Sequence, residues 1–229
     1  MQDVKEYKGL AIVLSRTNYG EADRIIHFLT PEGVISAIGR GVRREKSKLR
    51  GGSEPFALNE ISVRSGNSGL GTLRSARAHH LYEKIIYNFD AMEAAADIIK
   101  LLQRVTRDHD DPQFFEILRS VLVELEQTTN YQAVRLWAYL QMTQGVGTQL
   151  NLTHDAKGEA LDAGVKYVFS AHDHAFVVAP DGAHNVYTAR HIKLLRLAMA
   201  TDLTTFLKVN DTTELLLLCI GYARAALQQ

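Results

Sequence analysis

The sequence predicts an α+β protein, with a small five-stranded barrel over residues 1–80 followed by an α-helical bundle over residues 81–229. Three observations predict it. Apolar residues come in short alternating segments up to residue 78, then recur at helical spacing from residue 91. A cationic, glycine-framed run, Arg40 to Arg50, separates two of the strand segments. The formal charge divides where the period changes. Residues 1–80 hold 13 Lys+Arg against 8 Asp+Glu, so +5, and residues 81–229 hold 13 against 18, so −5.

The strands follow in order. Leu10 to Arg16 is apolar and then polar, and Arg24 to Thr30 carries Ile25, Ile26, Phe28 and Leu29. Pro31-Glu32-Gly33 is a turn, since Pro fixes φ and Gly accepts a positive one. Val34 to Ile38 is the third strand, Phe56 to Arg64 the fourth and Thr72 to Ala78 the fifth, the last two joined through the glycine-rich Ser65 to Gly71. Five short strands in about seventy residues suit a barrel or sandwich. A five-stranded Greek-key barrel, the OB-fold, has this size. Phe28 and Phe56 read as core, Tyr7 and Tyr19 as exposed.

Helical stripes follow. They are Ala91, Ala95, Ile98, Leu102 and Val105; then Phe114, Ile117, Leu118, Val121 and Leu125 after a start at Asp111-Pro112; then Ala133, Leu136, Trp137 and Leu140 within Tyr131 to Gly145. Leu215, Leu218, Cys219, Tyr222 and Ala226 form the last. Each marks a face to be buried. Gly145 with Gly147 ends the fourth helix, and Asp202 and Thr212 are candidate N-caps. Between the helices, at about residues 151–187, Lys166 to Ser170 and Ala175 to Val178 read as two short strands, with His172-Asp173-His174 at their turn.

The chain has 229 residues and 46% apolar content, enough for a core. No apolar run approaches the roughly 18 residues of a membrane span. The opening MQDVKEYKG lacks the apolar stretch of a signal peptide. One cysteine, Cys219, excludes an internal disulfide and reads as a buried thiol. A cytoplasmic protein without membrane contact is expected.

The run Arg40 to Arg50 holds six cations, Arg40, Arg43, Arg44, Lys46, Lys48 and Arg50, against Glu45 alone. Lys and Arg crowded on a loop between strands repel one another, and a phosphate backbone relieves that repulsion. A solvated surface loop is the plain alternative. No phosphate-binding Gly-Lys-Ser/Thr loop, zinc-protease helix motif or glycine-flanked serine elbow occurs, so no catalytic machinery and no cofactor is expected. His154, His172, His174 and His184 crowd the insertion, but structural zinc wants close ligand pairs, usually with Cys, and no second pair exists.

The stretch Tyr19-Gly20-Glu21-Ala22-Asp23-Arg24, with Phe28, Thr30, Gly33, RGVRREKSKLRGG and Pro55-Phe56, resembles the N-terminal domain of the RecO family of bacterial recombination mediators. Thr72-Leu73-Arg74-Ser75-Ala76 is similar to that family's last barrel strand. Val134-Arg135-Leu136-Trp137 through Gly145, Leu150 and Leu152 resembles its central helix and the segment after it.

The resemblance implies an OB-fold followed by a helical domain. It implies DNA repair and recombination through binding of single- and double-stranded DNA and annealing of complementary strands. It implies partners too: the acidic C-terminal tail of single-stranded DNA-binding protein (SSB), the protein RecR, and indirectly RecA, loaded onto SSB-coated strands. By position, the DNA contacts fall on Arg40, Arg43, Arg44, Lys46, Lys48 and Arg50, with Arg74 and Arg77. Arg135, beside Trp137 or Leu136, falls where the tail would bind; a surface arginine packing its stem on the bundle is the alternative. Some members carry a four-cysteine zinc site in the insertion. Here the segment reads LNLTHDAKGEALDAG, with His154, Lys157 and Gly158 near the first cysteine pair, so packing of Val168, Phe169, Phe176 and Val177 is expected in place of a metal.

Two other functions compete. One is a protein-interaction adaptor whose basic loop meets an acidic partner. The other is a nuclease, which needs clustered carboxylates where the sequence offers scattered Glu32, Glu45 and Glu54.

Overall fold

The computed structural model describes residues 6–66, 69–148, 150–170, 172–173, 175–209 and 212–227. His174 lies outside them. The chain forms two compact units, residues 1–127 and 128–229.

The first unit opens with β1 (Glu6–Tyr19), β2 (Asp23–Thr30), β3 (Gly33–Gly39), β4 (Ala57–Arg64) and β5 (Leu70–Leu81). They close a barrel in the order β1-β2-β3-β5-β4, with β4 returning to β1. Every pairing is antiparallel except β3 with β5. The architecture is the expected α+β one, an OB-fold barrel followed by helices.

Inward alternation fills the barrel with Ala11, Val13, Ile26, Phe28, Ala37, Ile61, Val63, Leu73 and Ala76. Four consecutive β1 residues, Ala11 to Leu14, are buried, which breaks the alternation. The cause is a second covering layer. Ala11 and Val13 join the barrel core, while the helix Phe89–Val105 packs on β1 and its Gln103 donates to the Leu14 carbonyl. Tyr7 was expected to be exposed. Instead its ring packs against the core and its hydroxyl donates to the Leu10 carbonyl at 2.7 Å. Phe56, expected in the core, is half-buried just ahead of β4 at φ 57°.

The helices of this unit are α1 (Glu83–Tyr87), α2 (Phe89–Val105) and α3 (Gln113–Leu125). All ten apolar residues assigned to the α2 and α3 stripes are buried. Asn88 caps α2, and the Asp111 carboxylate accepts from the Gln113 N–H at 2.8 Å at the start of α3. The five-residue α1 is too short to show a period, and the sequence reading missed it.

The second unit holds α4 (Tyr131–Gly145), β6 (Tyr167–Ser170), β7 (Ala175–Val178), α5 (Ala189–Ala200), α6 (Leu203–Phe206) and α7 (Thr213–Ala226). Asp202 and Thr212 cap α6 and α7 as expected. The thiol of Cys219 is fully buried. The last carbonyls of α5, orphaned by helix geometry, are met by side chains of α4. Gln141 donates to Ala198 at 2.8 Å and Gln144 to Met199 at 3.4 Å.

The insertion is anchored by aromatic rings more than by the valines expected there. Val168 and Val177 are only half-buried. Phe176 stacks on Tyr222 at 5.3 Å, and Phe169 meets Tyr222 edge-on at 4.8 Å. Tyr187 meets Phe176 at 5.2 Å. Near His154, the Asp155 carboxylate accepts from the N–H groups of Lys157 and Glu159 and holds the turn.

Candidate nucleic-acid interface

The cationic run leaves β3 at Gly39 and returns through a single 3-10 turn, Gly51–Ser53, into β4. It is a chain of tight turns, with Arg44 N–H donating to Gly41, Ser47 to Arg44, Arg50 to Ser47 and Ser53 to Arg50. All six cations are exposed, whereas Gly41, Val42, Ser47 and Leu49 turn inward. Val42 is fully buried and Leu49 packs on the barrel core. The apolar residues interspersed with the cations are therefore seats, and they press the charges outward.

Both ends of the loop are fixed. At its start the Asp23 carboxylate accepts from the Gly41 N–H at 2.7 Å, and the Arg43 N–H donates to the Ala22 carbonyl at 2.9 Å. Gly41 has φ 63°, a conformation that suits glycine. At the far end Gly52 lies so close to β5 that a Cβ there would come within 2.5 Å of the Ala76 carbonyl carbon. Ser53 is buried and its hydroxyl donates to the Arg50 carbonyl at 2.8 Å.

Charge is distributed unevenly between the acids and the bases. Glu54 takes up two arginines of the β1–β2 hairpin, bonding Arg16 through one oxygen and Arg24 through the other at 3.3 Å. Asp23 is spent on backbone. None of the six loop cations forms an ion pair with another described residue, nor do Arg74 and Arg77. Uncompensated exposed charge of one sign is what a polyanion site requires.

Topology brings Arg74 and Arg77 to the loop. Ile38 is in register with Thr72, so the loop departs alongside Leu73, and it comes back onto Ala76 and Arg77. The loop thus straddles the part of β5 that carries both arginines, and both side chains are exposed. The carboxylates a nuclease would need are not gathered. Glu32 and Glu45 are exposed in separate turns and Glu54 is engaged. Among the described residues no group of three His, Cys, Asp or Glu side chains is placed to hold a metal.

In the second unit Arg135 and Trp137 separate. Trp137 is buried and its indole N–H donates to the Thr201 carbonyl at 2.8 Å, which makes it a strut between α4 and the end of α5. Arg135 is half-buried, with a bond to the Gln132 side chain at 3.3 Å. No helix of the described residues is long and apolar enough to cross a membrane.

The family model described as "Recombination protein O N terminal" matches residues 1–82, and "Recombination protein O C terminal" matches residues 87–229. The chain is 25% identical to a DNA repair protein RecO of Dehalococcoides mccartyi over 92% of its own length and 85% of that protein. It is 27% identical to the RecO of Bacillus subtilis over 72% of this chain and 65% of that one. It is 32% identical to the RecO of Trichodesmium erythraeum over 58% of this chain, a stretch spanning less than half, 46%, of that relative. An OB-type barrel with a pinned cationic loop, helices behind it, and two family models that together cover nearly all of the sequence lead to one assignment: the chain belongs to the RecO family of DNA repair and recombination proteins.

Proposed function

We propose that the chain is a non-enzymatic recombination mediator that binds single- and double-stranded DNA, anneals complementary strands and, with RecR, helps load RecA onto SSB-coated single strands. The observation that carries the DNA reading is the loop of six exposed cations, which form no ion pair among the described residues, fixed at both ends and straddling Arg74 and Arg77. A barrel over residues 1–80 presents this face.

The contacts are to phosphate. Flexible lysines and arginines on a loop hold backbones without reading base edges, so sequence preference is weak. Annealing needs no covalent step. Two strands repel through their phosphates, and a cationic surface that holds both lowers that repulsion. The helical unit supplies a second, weaker grip, with Arg135 facing the acidic SSB tail. Linked weak contacts multiply through effective concentration. Trp137, committed to the Thr201 carbonyl, takes no part in that grip.

The test is annealing of complementary strands coated with SSB, compared with strands coated by SSB lacking its tail. Faster annealing on full-length SSB supports the mediator reading. A chain that binds the tail peptide but not naked oligonucleotides is an adaptor instead.

A further inference from the structure

We infer that Tyr87 and Phe89 form a base-stacking platform for single-stranded nucleic acid, continuing the cationic face of the barrel. This rests on the nucleic-acid reading proposed above. Tyr87 is 86% exposed and Phe89 72%, the two most exposed of the large hydrophobic side chains described. Phe28, Phe114, Phe115 and Phe176 are buried, and Tyr19 follows the pair at 56%. Two neighbouring rings left in water call for an occupant.

The local backbone presents them as a pair. α1 ends at Tyr87, α2 begins at Phe89, and Asn88 between them is extended, at φ −120° and ψ 115°. The two rings thus stand two residues apart, at the ends of the helices that meet at this extended residue. Asn88 is fixed twice. Its N–H donates to the Ile85 carbonyl at 3.3 Å, and its side-chain oxygen accepts from the Ala91 N–H at 3.0 Å. The rings therefore rise from a pinned kink, and little ordering entropy is lost when they engage a ligand.

The rings follow the cationic face closely along the chain. The end of the basic loop packs on Ala76 and Arg77, and β5 runs on through exposed His79 and His80 to α1. Rises of about 3.3 Å per strand residue and 1.5 Å per helical residue keep Tyr87 within roughly 25 Å of Arg77. That fits the footprint of about 4–16 nucleotides that a single-strand-binding barrel covers. Phosphates on arginines and bases on aromatic faces are the two halves of single-strand binding. Ile86, 42% exposed, adjoins Tyr87, and the exposed charged residues Glu83, Lys84 and Asp90 alternate with the apolar ones along the segment. That suits separate planar bases better than a groove on a protein. A duplex keeps its bases stacked inside, so the platform acts on single strands alone.

The test measures binding of a dT oligonucleotide, an abasic strand of equal length and a duplex. The proteins are the wild type, the double variant Tyr87→Ala/Phe89→Ala, and Tyr87→Trp. The wild type is expected to prefer dT over the abasic strand by about tenfold or more. The double variant should lose that preference and keep its duplex affinity. Tyr87→Trp should keep the preference. The only native tryptophan, Trp137, is buried, so the added indole reports directly and should be quenched by dT but not by duplex. A preference that survives the double variant overturns the platform, as does equal loss on all three ligands, the result expected of a protein-docking or structural patch. Equal wild-type affinity for dT and the abasic strand overturns the platform and leaves the loop reading standing. No wild-type binding to any of the three overturns both.

Discussion

The Asp23 carboxylate and the Gly41 N–H meet at 2.7 Å, which ties the first turn of the cationic loop to the start of β2. Eighteen residues separate the two in sequence. This contact, with the neighbouring Arg43 to Ala22 backbone bond, fixes where the loop's charges begin. Asp23 is half-buried, so the bond is partly shielded from water.

Asp23→Ala leaves the Gly41 N–H without its partner and should cost about 1–3 kcal/mol. The expected readout is a lower urea midpoint with unchanged slope, and faster amide exchange at Gly41 and Arg43. DNA affinity should fall even though no cation is removed. Asp23→Asn keeps an acceptor oxygen and should recover most of both properties. Wild-type exchange rates at Gly41 in Asp23→Ala would refute the anchoring role.

Reversing Arg43, Arg44 and Lys46 to Glu tests the loop as the phosphate grip. Each neutralised phosphate on a single strand contributes about −0.7 to the slope of log affinity against log salt. About six contacts give a slope near −4, and the triple variant should fall to about −2 or shallower. Titrations at several salt concentrations read this directly. An unaltered slope would move the DNA site elsewhere.

Gly52→Ala should act on the other end of the loop. The added Cβ would stand 2.5 Å from the Ala76 carbonyl carbon and 2.7 Å from the Arg77 nitrogen, so backbone must shift. Overpacking of this kind costs about 1–3 kcal/mol. Gly51→Ala, where nothing lies within 4 Å, is the control and should be nearly neutral. Thermal unfolding of the two variants side by side decides it, and equal melting temperatures would disprove the close seating.

Much of this was legible from the residues, and what was not has physical causes. Alternation and turn signals located all five strands, because a barrel with one wet face writes itself in period two. It failed at Ala11 to Leu14, where α2 buries the second face of β1. The cations of the loop were legible as charge, but Val42 and Leu49 showed nothing of their seating role, which depends on where the barrel core lies. The helix α5 went unnoticed because its N-terminal box pairs Thr188 with His191 in place of the usual Glu or Gln. Trp137 reads both as part of a stripe to be buried and, beside Arg135, as a contact for the acidic tail. Its commitment to the Thr201 carbonyl depends on a partner 64 residues away.

Alkaline pH should loosen the second unit. Burial pushes the Tyr187 and Tyr222 phenols well above the ordinary value near 10, Tyr187 also lying beside Tyr222. Both rings are neutral in the fold, so their contribution is present in full below about pH 10. Above that the unfolded chain ionises first and stability falls as pH rises. Tyr222→Phe removes one such group. Urea unfolding between pH 8 and pH 11 should show the wild type losing ground to this variant above about pH 10. Parallel curves would rule out the buried-phenol origin.

The crowded cations also bear on how long the protein lasts. Six like charges held close by a pinned loop push against the fold that holds them. Whatever polyanion settles there removes the push and adds its own binding energy to the native state alone. If DNA binds there as proposed, the barrel is sturdier when occupied than when idle. On that reading its melting point gauges occupancy, and heat or proteolysis would clear idle molecules before engaged ones.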